Sequence, residues 1–176
     1  MFETKRLQIR RFEETDGLDL FNYLSKPDVI EYEPCDTYTL EESVKEAKSR
    51  SKDDRFLAVV LKENYILIGN LYFNKSNNDF NTWEIGYVFN SDYHNLGYAT
   101  ESLLALLEYL FVERKAHRII AYCSVLNQPS FRLLERVNFR REGCFIKQAY
   151  FKKDEAGNPK WFNTYAYGLL SEEYFK

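Results

Sequence analysis

The chain has 176 residues, 45% of them hydrophobic and 29% charged, with a net charge of -3. That is enough apolar material for one domain with a sizeable core, expected to span residues 1–176. The acidic balance argues against a general nucleic-acid binder, which carries a basic footprint.

Three scattered cysteines, Cys35, Cys123 and Cys144, form neither a disulfide framework nor a zinc motif. Two distant histidines, His94 and His117, are too few for a metal hydrolase, so no metal site is expected. No run approaches the roughly 20 apolar residues of a bilayer span, and "MFETKRLQIRRF" interleaves charge where a signal core is continuous. A cytoplasmic protein with no membrane partner is expected, as a monomer or a homodimer. Aromatic residues at 17% point to a groove or pocket as well as a core.

In chain order, "RLQIRRF" alternates Leu7 and Ile9 on one face and reads as a strand. A helical stretch from Glu14 to Leu24 follows and is stopped by Pro27. Thr39 stands three residues before Glu42, the capping box of a charge-laced helix. The segments "RFLAVVL", "ILIGNLYF" and "TWEIGYVF" come in succession and form an antiparallel meander. The last of them puts Trp83, Ile85, Tyr87 and Phe89 on one face and Glu84, Gly86 and Val88 on the other. A glycine inside a strand marks a bulge or a close backbone approach.

The pattern then changes to a helix from Tyr98 to Arg114, a strand "RIIAYCSV", a helix from Asn127 to Val137, and strands around "RREGCFIKQAYF" and "WFNTYAYGLL". This order implies crossovers onto a mixed sheet, an α/β fold. In the long helix Ala99, Leu103, Leu106 and Leu110 form a stripe that Leu104, Leu107 and Phe111 widen, so the helix must be central. Its first turn then presents unpaired N–H groups and the positive end of the helix dipole. Gly97 lets the backbone turn tightly and approach a ligand with no Cβ in the way, an arrangement that suits a phosphate. In "NQPSFRLLERVNF", Asn127 fits as N-cap, Pro129 is tolerated in the first turn, and Asn138 can take the left-handed position ahead of Phe139.

Three motifs in combination carry a resemblance: E-I-G-Y from Glu84, G-x-A-T-E from Gly97, and N-x-x-S-x-x-L-L-E from Asn127. At these separations the chain resembles the GNAT N-acetyltransferase superfamily, and most of all its ribosomal-protein N-terminal acetyltransferase branch. The resemblance implies a mostly antiparallel seven-stranded sheet, a V-shaped splay between its fourth and fifth strands, and about four flanking helices. It implies acetyl-CoA, with the pantetheine arm along the backbone of Tyr87, Val88 and Phe89, as an added strand lies. The pyrophosphate would meet the N–H groups of Asn95, Leu96, Gly97, Tyr98, Ala99 and Thr100, with Asn127 on the pantetheine amides and Ser130 near the thioester sulfur. The partner is an amine acceptor, with a protein N-terminus favoured over a polyamine or an aminoglycoside; an acyl-CoA sensor without catalysis is the non-enzymatic alternative.

The sequence departs from that family in four places. His94 replaces the Arg, Gln or Trp often found three residues before the glycine, Asn138 replaces a glycine, Leu134 stands where many relatives have a tyrosine acid, and Asn163 replaces an acidic residue. With the tyrosine gone, Ser130 is the leading proton donor, and Tyr87 either assists it or packs. Glu84 is the candidate base, acting through water, or a solvated strand carboxylate. A bulge-freed N–H near Tyr87 or Val88 is expected to meet the oxyanion. Cys123 lacks a paired histidine, which favours direct transfer over an acetyl-cysteine.

Overall fold

The computed structural model describes residues 2–176. Strand β1 (Phe2–Glu3) pairs with β2 (Leu7–Arg11), and a 3-10 turn at Glu14–Asp16 leads into helix α1 (Gly17–Leu24). Helix α2 (Leu40–Arg50) is closed by the expected capping box, Thr39 Oγ1 accepting from the Glu42 amide while Glu42 accepts from the Thr39 amide. The meander follows as β3 (Phe56–Leu61), β4 (Leu67–Lys75) and β5 (Thr82–Phe89). Helix α3 (Tyr98–Glu108), β6 (Arg118–Ser124), α4 (Gln128–Arg136), β7 (Arg140–Ala149), β8 (Phe162–Leu170) and the four-residue α5 (Ser171–Tyr174) complete the chain.

One mixed sheet of eight strands runs in the order β1-β2-β3-β4-β5-β6-β8-β7. Every neighbouring pair is antiparallel except β5 and β6. The sheet has one strand more than the seven expected: the two-residue β1, whose Phe2 pairs with Ile9, is too short to read from alternation.

Helices divide between the two faces of the sheet. Leu103, Leu106, Leu107 and Leu110 of α3, with Leu133 and Leu134 of α4, are buried together with Ile85, Phe89, Ile119, Ala121, Tyr167 and Leu169. On the other face Leu20, Tyr23 and Leu24 of α1 and Ala47 of α2 pack on Ala58, Val60 and Leu67. Burial of a leucine stabilises by about 1.5–3 kcal/mol, which makes α3 the main anchor of its face. The expected stripe is interrupted at Leu104, which is 47% exposed and turned to a cleft. Helix α3 also stops at Glu108, and a π-helical turn, Tyr109–Glu113, finishes the predicted span, with the Arg114 amide donating to Tyr109 O over 3.1 Å. Among the described residues, no helix is long and apolar enough to cross a membrane.

Candidate active site

Strands β5 and β6 pair only from Thr82↔Arg118 to Ile85↔Ala121. Beyond Ile85, β5 stays with β4 to Phe89 and β6 stays with β8 to Ser124, so the sheet opens into a V. The Asn90 amide donates to Ile68 O on the β4 side (2.9 Å). Because backbone polarity alternates along a strand, the amides and carbonyls of Tyr87 and Phe89 point into the opening. The bulge expected at Gly86 is not there: the β4–β5 register is unbroken from Gly69↔Phe89 to Lys75↔Trp83. Free backbone groups arise instead because β6 departs. The cleft has a volume of about 1640 Å³, large enough for a coenzyme-sized donor and an acceptor together.

At one end of the cleft lies the loop before α3. Asn95 (φ 61°) and Gly97 (φ 82°) are both left-handed, and the amides from Asn95 to Thr100 make no hydrogen bond among the described residues. A side chain at Gly97 would be strained there. The loop is braced by Arg6, whose Nη1 donates to Leu96 O (2.9 Å), whose Nε donates to Glu101 Oε2 (2.7 Å), and whose guanidinium lies 4.3 Å from the centre of the Tyr98 ring. Thr4 and the Arg6 amide also donate to Glu101, and although burial opposes it these bonds hold the Glu101 carboxyl below its ordinary pKa. His94 places Nε2 3.2 Å from Phe89 O. From α4, Arg136 donates to Thr100 Oγ1 over 3.2 Å and adds positive charge at the same end. Of the predicted phosphate-end residues only Leu96 is turned away: its side chain is 53% exposed and outside the cleft lining.

Midway along the cleft, Tyr87 of β5 meets Ser130 of α4. The Tyr87 hydroxyl donates to Ser130 O (3.1 Å) and lies 3.0 Å from Ser130 Oγ. Burial raises the Tyr87 pKa far above the ordinary phenol range, so the ring is a neutral hydrogen-bonding group. Asn127 Oδ1 accepts from the Ser130 amide (3.1 Å) as the N-cap of α4, which commits its oxygen and leaves its NH2 group to the cleft. Leu134 is buried at 1% exposure and packs instead of presenting a phenol. Asn138 adopts φ 67°, the left-handed position expected of it. Asn163 is structural: its Oδ1 accepts from the Lys147 amide over 2.8 Å. Burial pushes the Cys123 thiol up to about 11, so it is not a thiolate near neutrality.

Glu84 and Val88 lie on the opposite face, the one covered by α1 and α2 over β3 and β4. Burial raises the Glu84 pKa. Sharing that side of the cleft is Glu33, from the loop between α1 and α2, whose carboxyl is pushed up to about 7 by burial, with Arg50 opposing.

The chain matches the model of the acetyltransferase (GNAT) domain over residues 6–140. It is 40% identical over 173 residues, 97% of each chain, to the uncharacterized N-acetyltransferase YnaD of Bacillus subtilis. The chain belongs to the GNAT acetyltransferase family. A crystal structure of a GNAT acetyltransferase from Bacillus anthracis superposes with a TM-score of 0.88 at 38% identity, covering 97% of this chain and 98% of that one. Two others share the fold at lower identity. Ribosomal-protein-S5-alanine acetyltransferase from Vibrio fischeri has a TM-score of 0.80 at 20% identity over 98% and 97% of the two chains. Spermidine N-acetyltransferase from Vibrio cholerae, in complex with CoA and spermine, has a TM-score of 0.80 at 18% identity over 98% and 100%.

Within this GNAT cleft lie four groups that sequence reasoning passed over. Glu101 was visible in the G-x-A-T-E motif but carried no assignment, because its partners Thr4 and Arg6 lie 97 and 95 residues away. Arg136 reads as an ordinary last-turn cation of α4. Glu33 sits in a loop without a decodable motif, and Thr164 of β8 is one hydroxyl among many; no local signal marks either as part of a cleft.

Proposed function

We propose that the protein transfers acetyl from acetyl-CoA to a primary amine by direct attack in a ternary complex, acting as a single domain over residues 1–176. One observation carries this reading: the Tyr87 amide and carbonyl and the Phe89 amide, left without a strand partner where β6 departs, line the same cleft as the unpaired amides of Asn95 to Thr100. The first set suits the pantetheine amides, by strand addition, and the second suits the pyrophosphate at a helix N-terminus. Arg136 and His94 flank the phosphates, and the Asn127 NH2 group faces the pantetheine arm.

The amine attacks the thioester carbonyl from the face that carries Glu84. A carbon–nitrogen bond forms, charge collects on the carbonyl oxygen, and a Tyr87 or Phe89 amide in the splay receives it; such a contact is worth about 3–4 kcal/mol when removed. The carbon–sulfur bond then breaks. Tyr87 is too weak an acid to protonate a thiolate of ordinary pKa near 8.5. The proton on the newly bonded nitrogen is far more acidic, and Ser130 Oγ, oriented by Tyr87, relays it to sulfur. An acceptor that arrives as its ammonium first gives one proton through water to Glu84, less acidic than an exposed carboxylate, which passes it on to solvent.

The favoured acceptor is a peptide or protein N-terminal α-amine. Its pKa of about 7.7–8.0 leaves a useful neutral fraction near neutrality, whereas a lysine amine near 10.4 is almost wholly protonated. A polyamine is the second reading, favoured by the exposed carboxylates Asp28 and Glu31 at the cleft rim. The test is initial release of CoA with three acceptors: a lysine-free peptide with a free N-terminus, an N-terminally blocked peptide with one lysine, and spermidine. The first is expected to react fastest. Faster transfer to spermidine promotes the second reading, and CoA binding without turnover of any amine leaves an acyl-CoA sensor.

A further inference from the structure

The acceptor side of the cleft holds an acid to which this mechanism has so far given no task. Glu33 is half-buried on the loop between α1 and α2 and lines the cleft, yet among the described residues its carboxylate has neither an ion pair nor a hydrogen bond. The cation nearest in effect, Arg50, is already committed: its Nε donates to Glu46 (2.7 Å), its Nη1 donates to Asn70 (3.0 Å), and its guanidinium lies over the Phe12 and Phe56 rings. An unpaired carboxylate in such a place is costly unless a ligand completes it.

A second, independent observation lies on the same face. Tyr165, Tyr167 and Leu169 of β8 face α3 and α4, so Thr164 faces the other way, toward the side of Glu33 and Glu84. Thr164 is 7% exposed, lines the cleft, and its hydroxyl has no hydrogen-bond partner among the described residues. Buried hydroxyls are ordinarily paired, so one left unpaired beside a cleft asks for a ligand group. Phe145 is the cross-strand neighbour of Thr164, and its ring and that of Tyr122, both 46% exposed and lining the same cleft, have centroids 6.3 Å apart. The site therefore offers a carboxylate, an aromatic wall and an unused hydroxyl within one cleft.

We infer that Glu33 binds the acceptor as its ammonium ion and removes the proton before attack, with Tyr122 and Thr164 completing the acceptor subsite. This rests on the amine-acetylating reading above. The ammonium gives one proton to the Glu33 carboxylate and becomes a neutral amine; nitrogen attacks the thioester carbon; its second proton reaches the departing sulfur through Ser130; Glu33 returns its proton to solvent. One proton is released per turnover, which balances the exchange of an ammonium and a thioester for an amide and a thiol. Glu33 is placed for this better than Glu84. Glu33 lines the open cleft without a partner among the described residues, whereas Glu84 sits at the Ile120 register where β5 and β6 are still paired. In an α-amine acceptor the first peptide carbonyl is the natural partner of the Thr164 hydroxyl.

The charged and titratable groups bearing on Glu33 are Arg50 from α2, Cys35 from its own loop and Tyr87 from β5. Burial raises the pKa of both Cys35 and Tyr87, so neither gains a charge as pH passes through 7. Glu33 must be ionised to act, so the wild-type rate should rise as pH passes through about 7.

The experiment compares wild type, Glu33→Gln and Glu84→Gln with the free-N-terminus peptide and with spermidine, reading kcat and KM from pH 6 to 9 and CoA affinity by thermal shift. Glu33→Gln is expected to keep CoA affinity, lose about 10²-fold in kcat/KM for the acceptor, and lose the rise near pH 7, keeping only the later rise that follows the α-amine's own deprotonation at about 7.7–8.0. Glu84→Gln should lose less and keep that rise. An active wild type whose rate and pH profile survive Glu33→Gln overturns the inference alone, as does a Glu33→Gln protein that no longer binds CoA. A wild type that binds CoA and acetylates neither probe overturns the acceptor reading, and the inference falls with it.

Discussion

Ser130 illustrates how one side chain's role depends on what its neighbours already do. Two tasks were open to it from sequence: stiffening the first turn of α4, or handling a proton. The turn is held by Asn127, whose Oδ1 accepts from the Ser130 amide, while Ser130 Oγ is turned to Tyr87. Removing the hydroxyl therefore leaves the cap intact. Ser130→Ala is expected to keep its thermal midpoint and its KM for acetyl-CoA and to lose about 10²-fold in kcat, the lower end of proton-transfer effects. A fall in stability with kcat unchanged would return Ser130 to a packing role. Leu134 belongs to the same story, since the phenol missing from its position is replaced at the Ser130 hydroxyl by Tyr87, reaching across from β5.

At the scale of elements, the mouth of α3 is the part on which the proposed function leans most. Its geometry comes from two left-handed residues, Asn95 and Gly97, and from a brace that arrives from the first strands of the sheet through Arg6 and Thr4 to Glu101. A Cβ at Gly97 would meet only the Arg6 guanidinium, at 3.3 Å, so the penalty to folding is the left-handed conformation itself, about 1–2 kcal/mol. Gly97→Val is expected to fold, as judged by circular dichroism, and to lose CoA binding because the side chain occupies the approach of the pyrophosphate. Wild-type affinity in that variant would place the phosphates elsewhere.

For the whole molecule the cleft is a feature of sheet topology. The two strands that open it belong to different halves: β5 ends the meander, and β6 is held by β8, which arrives some 40 residues later. A donor lying in the V touches both halves and should stabilise them together. Acetyl-CoA at about one hundred times its dissociation constant is expected to add about 2.7 kcal/mol, which for a chain of this size is a rise of about 5–10 °C in thermal midpoint. Differential scanning fluorimetry with acetyl-CoA and with CoA measures this directly, and an unchanged midpoint with both would remove the donor assignment.

Local chemistry settled much of this protein in advance. Alternation of apolar residues is a nearest-neighbour property, so the meander, the central α3 and the helix α4 were legible, with Thr39, Asn127 and Asn138 placed by the hydrogen bonds and dihedrals that caps require. The three motifs around Glu84, Gly97 and Asn127 pointed to the family through their combination at these separations. What only the tertiary structure decided are the meetings between distant residues. The free amides of β5 come from the departure of β6 and not from a bulge at Gly86; Arg6 and Glu101 meet across 95 residues; and Glu33 shares a cleft with Thr164. No periodicity encodes these pairings, because they depend on which strands pair and where the pairing ends, and the free energy that selects them is the burial of both sheet faces at once.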